Sequence, residues 1–297
     1  MPRTLYQPLG NEEIRLLTIH SQSNFSLETV CVKETPGYHA VSYCWGEAHD
    51  LCHVRVNGYE VPLRRHVAVM LDSLYRHHRV TRVWLDMLCI NQDDEAEKSK
   101  QVSMMGEIFR RAMGAYAWLG EADSDTDCIF DVLREFRKRK MELELPAGLD
   151  AAEQLSCHRE LFRDIYVERG GSLPEARASD DERLHEEFNW LRPLYIRPFW
   201  SRVWIVQELI LAKDVIVCCG AKCIDLHDIY GLSLDWGSFE QGFYDVQPDY
   251  TALIEIAKSF PPLVPKQEDP VMELDLPDQT MTTGQHPEVS TVDSEYI

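Results

Sequence analysis

Apolar residues recur along this chain at two periods, and the switches between them mark out its elements. Residues 14–19 (IRLLTI) and 27–32 (LETVCV) have strand character, with the polar SQSN at 21–24 as the turn between them. Pro36-Gly37 breaks the chain, and 38–43 (YHAVSY) reads as a further strand ended by Cys44-Trp45-Gly46. Residues 53–56 and 59–63 flank Asn57-Gly58, a hairpin signal because both turn residues tolerate positive φ. The period then lengthens. Val67, Met70, Leu71 and Leu74 share one face of a predicted helix over 64–78. A strand over 80–86 follows, then a loop carried by Cys89, Ile90, Asn91 and Gln92. Asp93 or Asp94 can cap the next helix, whose Val102, Met105, Ile108, Phe109 and Ala112 face inward. Residues 115–119 return to strand character and Gly120 stops them, so 82–120 is a strand–helix–strand unit, the building block of a parallel sheet.

Beyond Gly120 the pattern is less regular. Ile129, Val132, Leu133 and Phe136 mark a helix that closes in the basic run 137–140. Residues 145–181 carry little sustained periodicity; a short helix near 152–167 is expected within an insertion or lid. Leu184, Phe188 and Leu191 suggest another helix. Pro198 suits the first turn of a helix over RPFWSRVWIVQELILA, which puts Trp204, Glu208 and Leu211 on one face. Residues 215–219 (VIVCC) form a β-branched strand ended by Gly220, and helices are expected over 225–234 and 250–260. From 264 onward one Lys stands against eight acidic residues, with Pro, Gly and Thr and few aromatics, which predicts a disordered acidic tail.

Composition narrows the function classes. Of 297 residues, 44% are hydrophobic, enough for a real core in one large or two ordinary domains. A formal net charge of −20 argues against a nucleic-acid-binding surface, which needs clustered Lys and Arg. Nine cysteines without framework spacing, and an N-terminus without a leader-like apolar core, point to a reducing cytoplasm. No 18-residue apolar run occurs, so no membrane span is expected. Cys218, Cys219, Cys223 and His227 invite a zinc reading, but adjacent strand residues face opposite sides, and no metal site is expected. Cys89, with His39 or His49 as base, competes with a buried free thiol. There is no Walker loop and no GxGxxG, and Glu95, Glu97 and Lys98 read as a solvated helix face.

Three segments in order carry a resemblance: YHAVSYCWG at 38–46, VWLDMLCINQDDEAEKSKQVSMMGEIFRRAMGAYAWLG at 83–120, and RPFWSRVWIVQELILA at 197–212. Together they resemble the fungal heterokaryon incompatibility (HET) domain, over roughly residues 14–220. The resemblance implies a role in non-self recognition and programmed cell death. It also implies a core related to the Toll/interleukin-1 receptor (TIR) domain: an α/β, flavodoxin-like parallel sheet with flanking helices, to which this sequence adds the β-hairpin, which a minimal TIR domain lacks, and an insertion. The domain plan that follows is N-terminal strands in 1–37, a HET domain over 38–220 with its insertion at about 121–190, C-terminal helices in 221–263 and the tail at 264–297.

Ser42-Tyr43 is similar to the first-strand motif of TIR domains, and the run from Trp204 to Glu208 to their WxxxE helix. In catalytic TIR domains that glutamate is required to cleave NAD at its nicotinamide–ribose bond. The resemblance therefore makes Glu208 the candidate catalytic residue and NAD, or a related nucleotide, the candidate substrate, with no resident cofactor. In an open parallel sheet ligands bind beyond the carboxyl ends of the strands. Ser42, Tyr43, Trp45 and Gly46 leave one such end, and Asp86, Asn91 and Gln92 another. An oxocarbenium-like transition state can be stabilised by one carboxylate, and nicotinamide is already a cationic leaving group. Each residue also has an ordinary reading. Glu208 can pair with Arg202 or Lys213; Tyr43, Trp45 and Trp204 can be core; Asp86, Asn91 and Gln92 can fix a loop; Arg202 can meet a pyrophosphate or an acid. The alternative to an enzyme is a non-catalytic signalling scaffold that self-associates or recruits other death-signalling proteins.

Overall fold

The computed structural model describes residues 5–171, 193–194, 196–202, 204–226 and 228–229. In chain order the strands are β1 (Glu13–Ser21), β2 (Asn24–Cys31), β3 (His39–Tyr43), β4 (Leu51–Val56), β5 (Tyr59–Arg64), β6 (Arg82–Trp84), β7 (Ala115–Trp118), β8 (Val215–Cys219) and β9 (Lys222–Asp225). The helices are α1 (Arg65–His78), α2 (Asp86–Cys89), α3 (Glu95–Arg111), α4 (Ser124–Glu142), α5 (Ala151–Glu168) and α6 (Ile205–Leu211), with a 3-10 turn at Pro198–Ser201 before α6.

The nine strands make one sheet in the order β5-β4-β2-β1-β6-β3-β7-β8-β9. It is mixed, which corrects the expectation of a parallel sheet. The central strands β6, β3, β7 and β8 run parallel to one another, and β2 pairs with β4 in parallel. Antiparallel β1 flanks them at β6, and antiparallel β9 at β8. The physical reason is connection length. Turns of two residues join β1 to β2 and β8 to β9 and allow only antiparallel pairing, whereas helices cross over between the central parallel strands. The hairpin expected at Asn57-Gly58 is β4–β5, with φ of 51° and 82° at the two turn residues.

Alternation along β3 and β7 distributes the core between two faces. Tyr116 of β7 lies beside Val41 of β3 in register, and His39 and His78 both pack on its ring at 5.2 and 5.8 Å. Ala115, Ala117, Ala40 and Ser42 alternate with these residues, and their small side chains let α6 settle on β3 and β7. The face of α3 carrying Met105, Ile108 and Phe109 is buried, and Phe109 meets Trp84 edge-on at 6.0 Å. Asp94 caps this helix by accepting from the N–H groups of Ala96 and Glu97. In the stretch expected to be an insertion, α4 and α5 pack together, with Phe136 and Phe162 in edge contact at 5.4 Å.

Other expectations need revision. The loop after β6 begins as the single helical turn α2, since Asp86 accepts from the Met87 N–H and its carbonyl from the Ile90 N–H. β9 occupies residues where the reading had no strand and extends to Asp225. The helix expected from Pro198 is broken. Arg202 is extended, at φ −82° and ψ 130°, between the 3-10 turn and α6. The helices expected near 184–191 and 250–260, the tail from 264, and His227 lie outside the described residues. Among the described residues no helix is long and apolar enough to cross a membrane.

Candidate functional site

The carboxyl end of β3 sits between those of β6 and β7, and two carboxylates approach it. Consecutive residues of β3 hold one each: Ser42 holds Glu208, and Tyr43 holds Asp86.

Glu208 lies in the first turn of α6 and is 3% exposed. Its Oε2 accepts from the Ser42 hydroxyl. Arg202 meets the same carboxylate in a two-pronged pair, Nη1 to Oε2 and Nη2 to Oε1, both at 2.9 Å. Nη1 also donates to Ser42 Oγ at 3.1 Å. The broken helix makes this pairing possible. In a continuous α-helix residues six apart are separated by about 9 Å along the axis and lie off one another's face; the extended Arg202 folds the guanidinium back onto Glu208. Ahead of it, Arg197 donates to Glu121 O, to Asp123 Oδ2 at 2.6 Å and to Thr126 Oγ1. The segment Arg197 to Arg202 is thus anchored at one end to the loop after β7 and at the other to β3.

Asp86 is the second centre. Its Oδ1 accepts from Tyr43 OH and from Met87 N–H, both at 2.8 Å, and its Oδ2 from Trp45 Nε1 at 2.7 Å. Burial and the neighbouring Asp86 carboxylate push the Tyr43 phenol well above its ordinary range, so it stays a donor. Trp45 is half-buried. The Arg64 guanidinium lies 5.2 Å from its ring centroid and donates to the carbonyls of Trp45 and Gly46. Gly46 takes φ +64°, and a Cβ there would stand 2.5 Å from the His66 ring. The His66 Nε2 is 2.8 Å from Cys44 O.

Gln92 donates to Asp86 O, and Asn91 accepts from Asp93 N–H, so both fix the loop. Trp204 is 52% exposed just before α6, which removes its core alternative. The structure therefore gathers Ser42, Arg202 and Glu208 in one cluster, and Tyr43, Trp45 and Asp86 in a second joined to it through the Ser42–Tyr43 peptide.

Sequence reasoning missed the props beneath these groups. Arg15, buried in β1, pairs with Glu97 at 2.6 Å and donates to Cys89 O, while Tyr6 OH donates to Leu88 O. Glu97 in turn accepts from Asn91 N–H at 2.7 Å. Burial pushes the Glu97 carboxyl up, but the bonds from Arg15 and Asn91 outweigh it and hold the group below its usual range. Glu97 is thus not on a solvated face. An arginine inside the apolar run IRLLTI was the available signal, because a buried guanidinium needs a partner. Arg64 and His66 carried no comparable mark.

The competing chemistries fare differently. Cys89 is buried and its thiol is pushed up to about 12 by desolvation, which disfavours a nucleophile. His49 is on the surface beside Glu47. Among the described residues no group of His, Cys, Asp and Glu is arranged to hold a metal ion.

Comparison with known proteins adds two findings. Residues 38–208, more than half of the chain, match the family model described as heterokaryon incompatibility protein (HET). The chain is 29% identical over 245 residues to heterokaryon incompatibility protein 6, OR allele, of Neurospora crassa; the match covers 71% of this chain and 34% of that protein. It thus spans about a third of that relative's length. No solved structure matches.

Proposed function

This chain belongs to the heterokaryon incompatibility (HET) family, and on that premise we propose that it acts in fungal non-self recognition as an effector of cell death. The chemistry proposed for it is hydrolysis of NAD at the nicotinamide–ribose bond, at the carboxyl end of the parallel strands. One observation carries this reading: the Glu208 carboxylate reaches Ser42 at the end of β3, where the strand order reverses. In chain order the four central parallel strands β6, β3, β7 and β8 lie second, first, third, fourth, which supports a flavodoxin-like or TIR-like core. Ligands of such sheets bind at that reversal. Glu208 would stabilise the oxocarbenium-like ribose, and water would complete the hydrolysis to ADP-ribose and nicotinamide. Trp45, fixed by Asp86 and Arg64, would cover the ligand from the β3 exit, and the exposed Trp204 would offer a second ring.

The same geometry sets a condition on turnover. Both oxygens of Glu208 are engaged by Arg202, and Ser42 takes a further place on one of them. The ribose can reach the carboxylate only if Arg202 exchanges its partner, for instance for a substrate pyrophosphate. That engagement is also what favours the second reading, a non-catalytic module that signals by self-association or by recruiting other proteins. There the Ser42–Arg202–Glu208 cluster serves only to tie α6 to the sheet.

Nicotinamide release from NAD, followed across protein concentration, separates the two readings. The enzyme reading expects release from wild type and its loss in Glu208→Gln, provided the variant keeps the wild-type circular dichroism. Equal background from both proteins would reject it and leave the scaffold, whose mark is concentration-dependent assembly in light scattering.

A further inference from the structure

The hairpin β8–β9 places two thiols opposite each other. Cys219 and Lys222 flank the two-residue turn Gly220-Ala221, so they form the hydrogen-bonded pair that closes the hairpin. The next pair outward, Cys218 with Cys223, is then a non-hydrogen-bonded pair, the kind in which facing side chains come closest. Directly opposed residues also share a face of the sheet. In such pairs the Cα atoms are about 4.5 Å apart, at the short end of the range a disulfide spans. Both thiols are free.

We propose that Cys218 and Cys223 form a redox site, a cross-strand dithiol that peroxide converts to a reversible disulfide. Cys223 is the entry point, because it is half-buried while Cys218 is buried. Its sulfur attacks the peroxide O–O bond, giving a sulfenic acid and one water. The Cys218 sulfur then attacks that sulfenic sulfur, forming the S–S bond and releasing a second water. Two thiols lose two protons and two electrons, and one peroxide is reduced to two waters.

The surroundings set rate and reversibility. Burial pushes both thiols up, and the Cys223 sulfur further opposes ionisation of Cys218; on Cys223 the nearby Arg134 pulls the other way. The thiolate is the reacting form, so oxidation is slow near neutrality and speeds up as pH rises. The Cys223 sulfur is only half-buried, so small cellular thiols can reach the bond, and accessible disulfides are the labile ones. This bond is therefore a switch, in contrast to a permanent staple. Cys219 is the built-in control. Its neighbour on the strand points to the opposite face, and its own sulfur donates to Glu121 O at 3.6 Å, so it does not face Cys223.

Peptide mapping tests the proposal. Wild-type protein is treated with hydrogen peroxide, remaining thiols are alkylated, and trypsin cuts after Lys222, between the two cysteines. The expected product joins peptide 214–222 to the peptide that begins at Cys223, is two hydrogens lighter than their sum, and disappears on treatment with dithiothreitol. Fragmentation between Cys218 and Cys219 should place the bond on Cys218. In Cys223→Ser, Cys218 should remain an unmodified thiol under the same peroxide. Recovery of Cys223 as sulfinic acid beside a free Cys218, bonding of Cys223 to any other cysteine, or alkylation of both residues after peroxide would each overturn the proposal.

Discussion

Removing the Arg202 guanidinium would strand a carboxylate that is almost out of water. A buried ion pair adds little net stability, because desolvation of both charges opposes their attraction, but breaking one by deleting a single partner is costly. Arg202→Met should therefore lower unfolding free energy by about 3–5 kcal/mol, read from urea denaturation. Replacing both partners, Arg202→Met with Glu208→Leu, should recover much of that loss, since the uncompensated charge is gone. A single variant within about 0.5 kcal/mol of wild type, the range of ordinary surface changes, would show that Glu208 is not held as described. Sequence gave only half of this pair's context. WxxxE singles out Glu208, and Arg202 by itself suits either a pyrophosphate or an acid. Nothing local could attach Ser42, because it lies 166 residues away.

At the scale of elements, the helix starts were readable and the helix break was not. Asp123 closes a capping box with Thr126 at the start of α4 and also accepts from Arg197. Its carboxyl is held below the usual range by the Thr126 N–H, with burial opposing and the Thr126 hydroxyl and Arg197 reinforcing. Asp123→Ala should cost about 1 kcal/mol for the cap. In a protein of this size that is a fall in Tm of about 2–4 °C. It should also free the anchored segment that ends at Arg202, so amide exchange should quicken at residues 199–202. Unchanged exchange there would separate the cap from the segment. The reading of one helix from Pro198 failed because its apolar spacing suited a helix, while the bonds of Arg202 to Glu208 and Ser42 required an extended residue.

For the whole molecule, acid stability follows from two half-buried histidines packed on Tyr116. Burial pushes His78 down to about 4, with His77 adding repulsion, and burial also lowers His39. Both rings lie against Tyr116. A depressed folded pKa means that the unfolded chain binds the proton more readily. The contribution of these rings is thus complete above the unfolded value of 6.5 and is lost as pH falls from there towards about 4. Carboxylates held low by their partners, such as Glu97 and Asp123, lose theirs only at lower pH. Tm should be flat from pH 8 to 7 and decline between pH 6.5 and 5, and His78→Gln should reduce that decline. An identical slope in the variant would assign it to other groups.

The division of labour between sequence and fold has a physical basis. Periodicity, turn residues and caps act over a few residues, so the sequence by itself determined most strands, the hairpin at Asn57-Gly58, the capped helix after Asp94 and the family to which three motifs point. Tertiary structure decided what depends on contacts between distant segments: the mixed sheet, the edge strand β9, the buried Arg15–Glu97 prop and the meeting of Ser42, Arg202 and Glu208. These are settled by the cost of burying a charge or a backbone group without a partner. The partner is known only once the chain has folded.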